Sequence, residues 1–157
     1  MEVYDMCSDK NDIKSMENAL KQGIRESKLS ELNPRLSVRA SSDTSVKDVI
    51  QIMVDKKIGA VLLVEDNELV GIFSERDIIS KIALNYDDVK DDPISDYMTP
   101  EPVQLNIDDT IAFALNRMDV GGYRHIPITD DANVPTGIVA VRDIIRYIDY
   151  KCLDGPE

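Results

Sequence analysis

At 157 residues, with 43% hydrophobic content, the chain holds enough apolar material for one well-buried core, whereas each of two halves of about 60 residues would be marginal alone. A formal charge of −12 argues against a nucleic-acid backbone or an anionic membrane face as the main partner, because both are recognised through clustered Lys and Arg. No stretch approaches the roughly 20 apolar residues of a membrane span, and Met1 to Lys10 carries acids where a signal peptide needs a basic start, so a soluble, cytoplasmic protein is expected.

Residues 1–33 form an N-terminal helical extension with no counterpart later in the chain. Within it Ile13, Met16, Leu20 and Ile24 recur at spacings of three and four. They predict a helix over Asp12 to Ser27 whose apolar stripe needs a partner, in the same chain or in a second subunit. The first unit, 34–85, opens with an extended segment (Leu36 to Arg39) and polar capping residues (Ser41 to Ser45). A helix follows with Val46, Val49, Ile50 and Met53 on one face, then two strands, Ala60 to Val64 and Leu69 to Phe73, joined at Asp66-Asn67. A second helix is predicted from Arg76 to Leu84.

An acidic linker, 86–97, contains Asp87, Asp88, Asp91 and Asp92 and leads into a second unit, 98–151. The order repeats there. An extended segment (Pro102 to Leu105) and capping residues (Asn106 to Thr110) precede a helix carrying Ile111, Ala114, Leu115 and Met118. Strands at Arg124 to Thr129 and Thr136 to Ala140 and a helix from Arg142 to Lys151 complete it, before a short tail, 152–157. Cys7 and Cys152 lie near opposite ends with no second ligand nearby, so neither a metal site nor a disulfide framework is expected.

The repetition extends to the residues themselves. Gly71-Ile72-Phe73-Ser74-Glu75-Arg76-Asp77-Ile78-Ile79 returns 66 positions later as Gly137-Ile138-Val139-Ala140-Val141-Arg142-Asp143-Ile144-Ile145. Two related units should therefore pack on each other. Asp96-Tyr97-Met98-Thr99-Pro100, the helix from Asp109-Thr110-Ile111 to Met118, Tyr123-Arg124-His125-Ile126-Pro127-Ile128 and the second glycine block together resemble a cystathionine-β-synthase (CBS) domain. The first unit resembles one too, so Leu36 to about Tyr150 is similar to a CBS pair, or Bateman module. The resemblance implies an α+β (α/β) fold of two small sheets, each with two packed helices, related by a pseudo-twofold axis with two clefts between them. It further implies disc-like homodimers and regulatory binding of an adenosine compound, most often AMP, ADP or ATP, sometimes S-adenosylmethionine or a cyclic dinucleotide.

The resemblance also assigns residues. Ser74 and Asp77 match the family's nucleotide signature at the mouth of the second helix: a carboxylate accepts both ribose hydroxyls, while the hydroxyl and the free amides of the first helical turn favour phosphate oxygens. The same Ser-x-x-Asp pattern is also a capping box that merely closes the helix. Arg124 and His125 before Pro127 resemble the family's phosphate-facing strand, and the pair architecture implies that they share the main cleft with Ser74, Arg76 and Asp77, with Pro102 and Val103 against the adenine. His125, the only histidine, has a second reading as a polar residue satisfied within a strand. A weaker second cleft is expected from Val38, Arg39, Lys57, Ala60, Arg142 and Asp143. There Ala140 replaces the hydroxyl of Ser74, and Gly59 and Ala60 carry no charge where Arg124 and His125 do.

No glycine-rich phosphate loop, no serine or cysteine beside an activating histidine and no metal-ligand cluster is visible. The expectation is a regulatory module that is not an enzyme, needs no cofactor, and passes ligand occupancy to an unknown protein effector, without nucleic-acid or membrane partners. The alternatives are a purely structural pair used for dimerisation or docking, and a subunit whose chemistry is supplied by another chain.

Overall fold

The structure, a computed structural model, describes residues 10–153. Cys7 lies outside that range, as do residues 154–157 of the tail, and the side chains of Ile13, Met16 and Cys152 are not described. The fold mixes helices with small sheets, as expected. The N-terminal helix α1 spans Lys10–Glu26. The first unit contains β1 (Arg39–Ser41), α2 (Val46–Lys56), β2 (Ala60–Glu65), β3 (Glu68–Ser74) and α3 (Glu75–Asp77), which passes directly into a π-helical turn at Ile78–Ile82. Between the units lie the short α4 (Tyr86–Val89) and β4 (Thr99–Pro100). The second unit contains α5 (Ile111–Gly121), β5 (His125–Thr129), β6 (Pro135–Ala140) and α6 (Val141–Leu153).

Local chemistry explains where the long helices begin and end. Ser45 accepts the Asp48 amide and Thr110 accepts the Phe113 amide, each satisfying a donor that the first turn leaves free. Lys57 and Gly122 end α2 and α5 in the left-handed conformation.

Alternation along the strands separates two faces. Val61, Leu63 and Phe73 turn toward the helices of their own unit and join Val46, Val49 and Met53 in one core. Ile126, Ile128 and Val139 do the same in the second unit, with Ile111, Ala114, Met118 and Ile144. The opposite face of the first sheet, carrying Ala60, Leu62 and Ile72, packs against Ile138 of the second. Strands apolar on both faces are thus covered on both sides, by helices and by the other unit.

The leading segments cross between the units. Thr99 and Pro100 pair with Ile72 and Gly71, so the leader of the second unit adds a strand to the first sheet. Reciprocally, Arg35 bridges Ile138, placing the leader of the first unit on the second sheet. Only from Arg39 and Leu105 does each leader pair with its own unit, at Leu62 and Ile128. The extended segments expected from Leu36 and Pro102 are accordingly shorter than their sequences suggest, and Leu36 is 85% exposed.

The crossing begins earlier still. The Leu29 amide donates to the Asp109 carbonyl and the Ile111 amide to Ser27; equivalently, the Ile94 amide donates to Thr44 and the Val46 amide to Asp92. Residues 27–32 are therefore the counterpart of residues 92–97, which corrects the expectation that nothing in 1–33 recurs. Within the linker 86–97, Ile94 is fully buried in the first core, and Lys47 pairs with Asp91 at 2.5 Å. The end of helix α1 packs within the chain, against α5 and α6, where Ile24, followed after the helix by Leu29 and Leu32, joins the core of the second unit.

Candidate functional site

Each second helix opens with an aspartate turned back on its own N-terminus. Asp77 Oδ2 accepts the Ser74 amide and the Ser74 hydroxyl, both at 2.9 Å. Its Oδ1 accepts the Thr99 hydroxyl at 3.3 Å and faces Lys81 Nζ at 2.7 Å. The buried Asp77 carboxylate is thus engaged on both oxygens, and one partner, Thr99, comes from the crossed leader. In the second copy Asp143 Oδ2 accepts the Ala140 amide at 2.9 Å, and with no hydroxyl at Ala140 this is its one hydrogen bond among the described residues. The aspartate half of the cap is present at both helices, the hydroxyl half only at Ser74. The chain's two carboxylates differ in how much of each remains available.

The second cleft opens into a cavity of about 80 Å³ between the units. Asp143, Arg142, Lys57, Val38 and Ala60 line it, together with Arg35 and Leu36 of the crossed leader. Arg39 does not, because its guanidinium donates to the carbonyl of Pro135.

His125 also lines this cavity rather than joining Ser74 and Asp77. The register supplies the reason: His125 pairs with Ala140, and residues opposite each other on neighbouring strands share a face. Its ring lies so close to Gly59 that a Cβ there would meet Cε1 at 3.0 Å. Burial pulls the imidazole below its ordinary value; the carboxylates of Glu75 and Asp143 oppose that, and Arg142 and Arg124 reinforce it.

The remaining residues expected in the main cleft are dispersed. Arg76 donates to the Gly122 carbonyl, linking α3 to the turn before Arg124. Arg124 is exposed, and its carbonyl accepts the Val141 amide that opens α6. Val103 is 42% exposed. Pro127 is buried in β5 opposite Ile138. Pro102 lines a separate groove with Leu69, Val70, Glu101, Gln104 and Asn133. Sequence reasoning missed Thr99, Arg35, Leu36 and Gly59. A signal for the second leader was present, since Thr99 precedes Pro100, where the backbone is driven extended; Asn33, before Pro34, is instead left-handed at φ 49°.

Among the described residues no helix is long and apolar enough to cross a membrane, and no group of three His, Cys, Asp or Glu side chains is placed to hold a metal ion.

Comparison with known proteins adds three findings. The family model described as the CBS domain matches twice, at residues 29–84 and 94–150, so both matches begin where the crossed leaders dock. An uncharacterized 17.7 kDa protein of Acidianus ambivalens is 32% identical over 107 residues, covering 68% of this chain and 63% of that protein. The chain spans 22% of the length of a CBS domain-containing protein of Arabidopsis thaliana. Among solved structures, a CBS domain pair in complex with 5′-methylthioadenosine and S-adenosyl-L-methionine aligns with a TM-score of 0.72 at 23% identity, over 80% of this chain and 98% of that one. A CBS domain protein from Pyrobaculum aerophilum complexed with AMP aligns with a TM-score of 0.70 at 21% identity, over 82% and 100%. At those identities the two structures establish the fold.

Proposed function

The chain belongs to the CBS-domain family, as two domains in tandem, and from that premise we propose that it is a regulatory module that binds an adenosine compound between its domains. The observation that carries this reading is the second cleft. There the Asp143 carboxylate shares one cavity with Arg35, Lys57 and Arg142, in a chain whose formal charge is −12. A carboxylate that accepts ribose hydroxyls beside three cations that neutralise phosphate is the complement of a phosphorylated adenosine, and it favours AMP, ADP or ATP over an uncharged nucleoside. The complexes of similar folds with AMP, methylthioadenosine and S-adenosylmethionine support the ligand class.

A cavity of about 80 Å³ is smaller than the roughly 300 Å³ at which ligand pockets begin. The ligand therefore binds a wider arrangement, in which the leader at Leu36 moves outward. A ligand that favours one arrangement over another shifts the population by its differential affinity, and this shift is the signal handed, in a cytoplasmic homodimer, to a protein effector. The main cleft at Ser74 and Asp77 is the secondary site, because Thr99 and Lys81 already occupy its carboxylate.

Calorimetric titration with AMP, ADP, ATP, methylthioadenosine and S-adenosylmethionine tests the reading. Saturable binding of a phosphorylated adenosine that is lost in Asp143→Ala and kept in Asp77→Ala supports it; loss in Asp77→Ala alone transfers the site to the main cleft. The small cavity and the fully engaged Asp77 favour one other reading, a structural docking pair. Folded protein that binds none of the five compounds would establish that reading instead.

A further inference from the structure

The registers of the two units fix which residues are equivalent. Leu63 pairs with Gly71 and Ile128 with Gly137, Ala40 pairs with Leu63 and Leu105 with Ile128, and Val64–Leu69 matches Thr129–Pro135. Arg39 therefore corresponds to Gln104, and Pro135 to Leu69. On one side of the molecule the Arg39 guanidinium donates to the Pro135 carbonyl. On the other, the position of that arginine is taken by a shorter, uncharged glutamine, and a groove of about 550 Å³ opens between Leu69, Val70, Glu101, Pro102, Gln104 and Asn133. That volume lies within the range of small-molecule sites.

We propose that this groove is a binding site for a guanidinium-bearing small molecule, which supplies from outside the group that Arg39 supplies from within. Its chemistry is that of an acceptor. Glu101 is the one charged residue lining it, so a cation meets a carboxylate and no competing positive charge in the lining. The Leu69 carbonyl, equivalent to the acceptor that Arg39 uses, accepts a long 3.3 Å bond from the Asn133 side-chain amide. The Asn133 Oδ1 is buried without any partner, an orphan acceptor of a kind that folded proteins keep few of. Glu101 also sits at φ 45°, a left-handed conformation that costs a non-glycine residue energy and recurs at ligand-binding positions. The groove lies apart from the adenosine clefts: none of Ser74, Asp77, Arg124 or Asp143 lines it.

Arginine and its neutral isostere citrulline, titrated into the ¹⁵N-labelled full chain, separate the guanidinium from the rest of the molecule. The expected result is saturable movement of the Leu69, Val70 and Asn133 amide signals with arginine and none with citrulline. Glu101→Gln should weaken the arginine response at least fivefold. Gln104→Arg should move the same amides without ligand and abolish the response, because the groove is then filled as its twin is. Equal responses to the two amino acids, an unsaturable response, or a Gln104→Arg protein that responds as the wild type does would each overturn the proposal, and the spectrum itself reports whether each variant is folded.

Discussion

Leu29 and Ile94 occupy the same place in opposite halves of the molecule. Each is fully buried, each donates its amide to the capping segment of the unit it docks on, and each precedes a leader that belongs to the other unit. Although Leu29 lies in what the sequence presents as an extension, it is a core residue. Leu29→Ala and Ile94→Ala should each lower stability by about 2–5 kcal/mol, the usual range for emptying a buried aliphatic site. Urea unfolding measures both. A loss below about 1 kcal/mol at Leu29, within the range of an ordinary surface substitution, would mean that the segment is peripheral.

The two helix-mouth aspartates should separate stability from binding. Asp77 closes its helix with three hydrogen bonds and an ion pair, Asp143 with one hydrogen bond. Asp77→Ala is expected to cost about 1–2 kcal/mol, as the loss of a well-made cap does, and Asp143→Ala about 0.5 kcal/mol. The order reverses for adenosine-dependent stabilisation, which depends on the more available carboxylate. Thermal unfolding of both variants, with and without AMP, reads the two orders in one experiment.

Gly137 recurs from Gly71 for a reason outside its own unit. A Cβ on Gly137 would lie 3.2 Å from the Arg35 carbonyl oxygen and 3.3 Å from Pro34, so the crossed leader passes directly over it. Gly137→Val should displace that leader and destabilise the protein by about 1–3 kcal/mol, the range for overpacking. It should also weaken adenosine binding, since Arg35 and Leu36 lie on the displaced segment. Chemical denaturation and calorimetry on the same preparation check both effects, and unchanged stability would contradict the crossing.

Lowering the pH should weaken the fold through His125. Burial holds its folded-state value below the ordinary 6.5, so the unfolded chain takes up the proton first as pH falls. Stability present above about pH 6.5 is then lost progressively below it, toward the depressed folded value. In His125→Gln the loss between pH 7.5 and 5.5 should be smaller than in the wild type. The comparison subtracts the carboxylates common to both proteins, and identical slopes would remove His125 from the account.

Much of this architecture was legible in the chain. The duplicated glycine block fixed the count of units, the apolar runs Ala60 to Val64 and Ile126 to Ile128 marked strands, and the polar segments ending at Ser45 and Thr110 announced the helix starts. What remained hidden depends on partners far away in sequence. A two-residue strand such as Thr99–Pro100 has no periodicity to detect, and its bonds go to Gly71 and Ile72 of the other unit. Alternation likewise places His125 on the face of Pro127, but it cannot tell which of two related clefts that face overlooks. Arg39 and Gln104 look like unrelated residues until the registers align them.

The crossed leaders give the chain the connectivity of an exchanged dimer written into one polypeptide. A half-length chain with one unit would carry a leader with nothing to dock on and a sheet missing its edge, and it could close only by meeting a second copy of itself. Joining the halves replaces that encounter with an intramolecular one, at the millimolar effective concentration a short tether provides. Dilution, which would dissolve the two-chain version, leaves the tethered one intact. The same logic holds if the backbone is cut between Leu84 and Asp91: neither fragment is complete, and the two should recover the fold only when mixed.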